Sequence, residues 1–236
     1  MKIQSTFNKK GITLIELLVA LVIAAITLAG IYRVFISQTR TYAKQDQVVE
    51  VQQSVRGAMD IILRDLRMTG FDDDNPASVA AGITVLTPIA AFADNSITLN
   101  YEYYDRPLNQ YQRHTVAYSV INSELTRQLT KNKPGGITEV LPTEVLLQNV
   151  SVSALVPLFR YGVDANNDKI MDDQDPKDGI INAADYVPAA SVGTATVVAV
   201  RVTLTGGPSP TNVDVAKVVS PRTLVSAVTL RNICLR

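Results

Sequence analysis

The chain has 236 residues with 22 basic and 22 acidic side chains, an even balance that excludes the basic footprint of a nucleic-acid binder. Cys234 and His114 are each alone of their kind, which excludes an internal disulfide and a two-histidine zinc site. The length suits one domain with a real core plus an extended element.

Lys2, Lys9 and Lys10 crowd the first ten positions, and without them 19 basic residues face 22 acidic ones. Residues 12–31, ITLIELLVALVIAAITLAGI, are apolar apart from Thr13, Glu16 and Thr27. Twenty helical residues at about 1.5 Å each cross a hydrocarbon core about 30 Å thick. The lysines in front keep the leader in the cytoplasm and send the remainder outward. A secretory signal peptide fits poorly, because the apolar run is long and Tyr32, Arg33 and Phe35 follow it in place of a small-residue cleavage site.

Glu16 stands out in this run. A carboxylate in a spanning helix costs at least about 2.5 kcal/mol at mid-bilayer and less near the interface, so it calls for a partner. Lys9-Lys10-Gly11 followed by Ile12-Thr13-Leu14-Ile15-Glu16 resembles the type IV prepilin signature, a basic leader ending in Gly with Glu as the fifth residue after it. That resemblance implies that prepilin peptidase cuts after Gly11, that the new amine of Ile12 is N-methylated, and that Glu16 pairs with the N-terminal amine of a neighbouring subunit. Phe is the usual first mature residue, and Ile12 departs from that pattern.

Helical spacing continues beyond Ile31 through Phe35, Thr39, Tyr42, Val49, Gln52, Val55, Met59, Ile62 and Leu66, and no proline occurs before Pro76. One helix from Ile12 to about Met68, about 85 Å long, is expected to end at Thr69-Gly70. Its outer stripe would seat a globular head, and the apolar positions between Tyr42 and Val55 are too sparse for coiled-coil heptads. The stretch around Gly57 up to Phe71 resembles the matching segment of PilW-type minor pilins.

After Gly70, β-branched and aromatic runs alternate with Pro, Gly, Asn and Asp. Strands are expected at 82–86, 96–104, 114–120, 124–129 across an Asn122-Ser123 turn, 145–160, 195–205 and 223–230. Ile97, Leu99, Tyr101 and Tyr103 alternate with polar neighbours, so one sheet face packs on the helix. The fold class is α+β: a long N-terminal helix, part transmembrane and part amphipathic, against an antiparallel sheet head. The expected divisions are a leader at 1–11, a membrane and filament-core helix at 12–33, its amphipathic continuation at 34–70, and the head at 71–236. Cys234 is expected to be a small buried hydrophobe.

Residues 164–175 place Asp164, Asn166, Asp168, Asp172 and Asp175 at positions 1, 3, 5, 9 and 12 of a loop, with the Ile170 carbonyl at position 7. Such oxygen spacing suits a hard cation and resembles EF-hand-like and thrombospondin type 3 repeats, which implies a structural calcium ion (Ca2+). Lys169 replaces the usual Gly at position 6, and Asp175 the usual Glu at 12. Residues 178–185 repeat the second half of such a loop, but Gln174 and Pro176 would occupy its first ligand slots. The alternative for the whole segment, 164–185, is a solvated acidic turn.

The prepilin resemblance implies a non-enzymatic minor pilin of a type IV pilus, at or near the filament tip and helping to prime assembly. The implied partners are other pilins and minor pilins, prepilin peptidase, the inner-membrane assembly machinery and, before assembly, the lipid bilayer. The implied location is the inner membrane with a periplasmic head, then the cell surface. A pseudopilin of a type II secretion system is the alternative. A major pilin fits less well, and a membrane-anchored hydrolase finds no grouped nucleophile and base.

Overall fold

The structure, a computed structural model, describes residues 11–85, 87–153, 155–174, 177–208 and 220–234. Helix α1 spans Leu14–Met68, within two residues of the expected start and at the expected end. The chain forms two compact units, Met1–Asp46 and Gln47–Arg236.

In the first unit every described residue from Gly11 to Phe35 is exposed, including Leu17, Leu21, Ile26 and Ile31. Among the described residues, α1 is the helix long and apolar enough to cross a membrane, and none of its apolar window is buried within the chain. Polar side chains here are satisfied locally: the Thr27 hydroxyl donates to the Ile23 carbonyl at 2.8 Å and the Thr39 hydroxyl to that of Phe35 at 3.0 Å. Such back-bonding removes a polar group from an apolar surface at little cost.

In the second unit α1 turns amphipathic. Val51, Val55, Ala58, Met59, Ile62, Leu63 and Leu66 are buried at steps of three and four, the face of an amphipathic helix. This stripe starts later than the sequence spacing suggests, since Phe35, Tyr42, Val49 and Gln52 are exposed. Ala43-Lys44-Gln45-Asp46 is polar, and burial begins only beyond it.

The helix ends as Thr69-Gly70 predicts. Gly70 takes φ +75°, and a Cβ there would press on Pro88 and Ile233 at 3.2 and 3.3 Å. The orphan carbonyls of the last turn find an unexpected donor, because the Asn232 amide reaches the carbonyls of Arg67 (3.2 Å), Met68 (3.5 Å) and Thr69 (3.2 Å).

Among the described residues nine strands follow. A meander of β1 (Ile89–Ala93), β2 (Ser96–Asp105), β3 (Gln110–Ile121), β4 (Glu124–Lys133) and β5 (Ile137–Val140) makes one antiparallel sheet, with β6 (Glu144–Leu147) also paired to β4. The β3/β4 hairpin turns at Asn122 and Ser123, both with positive φ (52° and 61°), the conformation a two-residue hairpin needs. A second antiparallel sheet holds β7 (Phe159–Asp164), β8 (Thr196–Gly206) and β9 (Arg222–Thr229). The described residues of the unit also include short helices α2 (Pro76–Ala80) and α3 (Arg231–Cys234).

Several expectations are corrected. Residues 83–85 are not a strand, Leu86 lies outside the described residues, and the first strand instead follows Pro88. The single strand expected at 145–160 is two, β6 and β7, because Asn149 turns the chain at φ +55° and Pro157 offers no N–H to a ladder. Tyr103 is exposed, unlike Ile97, Leu99 and Tyr101. Its ring stacks on His114 at 4.6 Å instead. Burial, then the Lys131 charge, pushes the His114 imidazole down to about 4, so it is neutral at physiological pH. Cys234 is only partly buried.

One core cluster joins the α1 stripe to Leu99, Val116, Tyr118 and Leu125 of the first sheet and to Phe159, Val200 and Leu204 of the second. At its centre lies a charge. Asp65 of α1 is 1% exposed and accepts the Tyr118 hydroxyl at 2.6 Å and the Arg127 Nε at 3.0 Å. Tyr118 and Arg127 face each other across the β3/β4 register, so one carboxylate ties the helix to two strands. Burial works against the Arg127 cation, but Asp65 and Tyr118 more than offset it and its pKa is raised. Burial first, then Asp65, raises the Tyr118 phenol and pushes Tyr101 up to about 12. Asp65→Ala leaves the buried Arg127 with only the exposed Glu144 carboxylate, 3.6 Å away, as an ionic partner, and is expected to cost about 3–5 kcal/mol. Urea melts of the full chain in detergent check this, and Asp65→Leu combined with Arg127→Met is expected to recover most of the loss. A double variant no more stable than Asp65→Ala would show that the pair is not what the single change removes.

Candidate functional site

Two regions carry the residues singled out by sequence. At the N-terminus, Gly11 and Ile12 precede the helix, both exposed. Thr13 caps it: the Glu16 N–H donates to Thr13 Oγ1 at 3.4 Å and the Leu17 N–H to the Thr13 carbonyl at 3.2 Å. Thr13-x-x-Glu16 is the spacing of a capping box, a signal that was readable in the sequence beside the membrane argument. Glu16 thus stands in the first turn, where the helix dipole favours an anion, and it is exposed. The leader residues 1–10 lie outside the described residues.

The Asp-rich segment leaves the end of β7. Asp164 is 2% exposed, and its two carboxylate oxygens accept the N–H groups of Asn167 (2.7 Å) and Lys169 (2.8 Å). Asp172 Oδ2 accepts the Ala165 N–H at 2.7 Å, while the Asp172 N–H returns to the Val163 carbonyl at 2.8 Å. Asn166 accepts the Asp168 N–H at 2.9 Å, and Asp168 the Ile170 N–H at 2.8 Å. Position 6 keeps the left-handed turn normally given to glycine, with Lys169 at φ +67°. The loop folds back over Gly162, where an added Cβ would lie 2.5 Å from Met171 Sδ and 2.9 Å from Ala199 Cβ. Asp175 lies outside the described residues.

The structure therefore curls Asp164, Asn166, Asp168 and Asp172 into one tight turn held by their own side chains. Among the described residues it does not bring the carboxylates of Asp164, Asp168 and Asp172 within 4.8 Å of one another as a trio. The second turn has a first residue that spacing alone missed. Asp173 Oδ2 accepts the Gly179 N–H, as Asp164 Oδ2 accepts that of Lys169, so Asp173 and not Gln174 occupies the leading place. One extra residue in the second turn hides that register from a position count. Its far end is Asp185, fully buried, which accepts the N–H groups of Gln174 (2.8 Å) and Asn182 (2.6 Å).

Comparison with protein families matches residues 6–32 to the prokaryotic N-terminal methylation motif. No curated protein and no solved structure matches the chain. The motif covers Gly11, the capping Thr13, Glu16 and the apolar run that follows, and it implies processing by prepilin peptidase and assembly with other pilins. Behind that motif stands a long N-terminal helix packed with antiparallel sheets, so a prepilin-like N-terminus leads into an α+β, pilin-like architecture.

Proposed function

We propose that the chain is a minor pilin of a type IV pilus, of the PilW type, incorporated at or near the filament tip and helping to prime assembly. Prepilin peptidase cuts after Gly11, the amine of Ile12 is methylated, and Glu16 receives the N-terminal amine of a neighbouring subunit. The observation that carries this reading is the exposed Glu16 at the head of a helix whose apolar window has no cover within the chain. Lipid covers that surface before assembly, and the helices of other subunits cover it afterwards. A carboxylate and an ammonium buried together neutralise each other, and the pairing fixes the stagger between subunits.

The chain's role is structural, with a single pass through the inner membrane and a periplasmic head that reaches the surface in the filament. The PilW assignment rests on likeness along the chain: the segment 55–71 forms the buried end of α1 and the turn after it, Phe159-Arg160-Tyr161-Gly162-Val163-Asp164 forms β7, and Val200-Arg201-Val202-Thr203-Leu204 lies in β8. A pseudopilin of a type II secretion system is the second reading, since the methylation motif is shared by both classes. Glu16→Ala is expected to leave the protein in the membrane and to lower its recovery in sheared filaments at least about tenfold, the size of effect that loss of a buried charge partner produces. Unchanged recovery would rule out the pairing. A deletion strain that loses surface pili but keeps its secreted proteins supports the pilus, and the opposite pattern supports the secretion system.

We also propose that the turn at 164–175 holds a structural calcium ion through Asp164, Asn166, Asp168, the Ile170 carbonyl, Asp172 and Asp175. Support comes from the residue types and their spacing, from the left-handed backbone at position 6, and from the packing of Met171 that fixes the loop on β7. Calcium is expected to raise the melting temperature of the full chain in detergent. In Asp168→Ala that rise is expected to shrink, and an unchanged rise would retire this ion site.

A further inference from the structure

Glu102 is the least explained charge in the protein. It lies on β2 with 1% of its surface exposed, and both carboxylate oxygens are buried without a hydrogen bond from any described residue. Arg113, its partner across the β2/β3 register, does not reach it and instead donates to the Thr84 carbonyl at 3.3 Å. A buried carboxylate with neither cation nor donor is costly.

What Glu102 meets instead is more negative charge. The segment after α1 runs beside β2, with the Gly70 N–H on the Asn100 carbonyl (2.9 Å) and the Glu102 N–H on the Phe71 carbonyl (2.8 Å). That pairing delivers Asp72 and Asp73 to Glu102, and one oxygen from each of the three carboxylates lies within 4.8 Å of the others. Asp72 also accepts the N–H groups of Asp74 (3.1 Å) and Val85 (2.9 Å), and Asp73 that of Asn75 (2.9 Å). These bonds hold the two aspartates in place. Two oxygens bound to one calcium at about 2.3–2.6 Å can be no more than about 5 Å apart. The trio meets that limit.

We propose that Asp72, Asp73 and Glu102 bind a divalent cation, with calcium the best fit, and that this ion fastens the segment leaving α1 to strand β2. Three oxygens from protein leave the rest of a six- to eight-coordinate shell to water, which the exposed side of Asp73 admits. The site is separate from the turn at 164–175 and does not depend on the pilin assignment.

The test uses the full chain in detergent, stripped with chelator and titrated with calcium. In an Asp168→Ala background, which silences the other candidate ion site, calcium is expected still to raise the melting temperature. Adding Glu102→Gln is expected to abolish that rise while leaving the metal-free protein as stable as before or more so, because the isosteric amide relieves the repulsion. Asp73→Asn, an exposed change that keeps the fold, provides a second arm. It is expected to shift the calcium midpoint at least about tenfold upward, as loss of one charged ligand does. Terbium, excited through tyrosine in a chain without tryptophan, reports the same site, since Tyr101 and Tyr103 flank Glu102 on β2. No calcium response in Asp168→Ala, or the same response with Glu102→Gln or Asp73→Asn added, overturns the proposal in favour of a shared proton.

Discussion

Asp65 is the hinge on which the folded head turns from a set of strands into one body. A carboxylate at that point of α1 costs several kcal/mol to bury, and it is tolerated because Tyr118 and Arg127 arrive from adjacent strands to receive it. The pair contributes specificity more than energy. Sliding the helix by one turn, or the hairpin by one residue, would leave a buried charge facing apolar side chains. Around it the apolar stripe from Val51 to Leu66 supplies the area, and Asn232, from the far end of the chain, seals the helix terminus. The order of cause runs from charge to register to core.

The other end of α1 presents the opposite problem. There none of the apolar window is buried against the described residues. A surface of that kind belongs in lipid or against other helices. Glu16 adds a direction to the requirement: at the helix start it is compatible with water and with the interface, and Thr13 gives its backbone a cap. Under the proposed function its carboxylate is what receives a second subunit's amine. One helix thus serves two environments, with its polarity pattern changing between Tyr42 and Val51.

Local features were the legible ones. The helix and its end followed from unbroken spacing and a Thr-Gly stop, the β3/β4 hairpin from Asn122-Ser123, and strand β8 from a run of β-branched residues. Misreadings came where a short apolar run had two outcomes. Residues 82–86 look no less strand-like than 89–93, and only pairing with β2 decides between them. Asn149 and Pro157 broke a run that hydrophobicity alone joined. At the Asp-rich segment the first turn was readable by position, while a single inserted residue hid the leading role of Asp173 in the second. The contacts between distant residues were not readable at all: Asp65 with Arg127, Asn232 with the end of α1, and Glu102 with Asp72 and Asp73 each join segments that only the fold brings together.

The prepilin reading stands or falls at one peptide bond. Intact-mass and N-terminal fragment spectra of the protein purified from a strain with prepilin peptidase are expected to show a chain that begins with N-methylated Ile12. The same protein from a strain without the peptidase keeps Met1 or its immediate neighbours at the front. A chain that starts anywhere else in the peptidase-positive strain, or that starts at Ile12 in both strains, contradicts it.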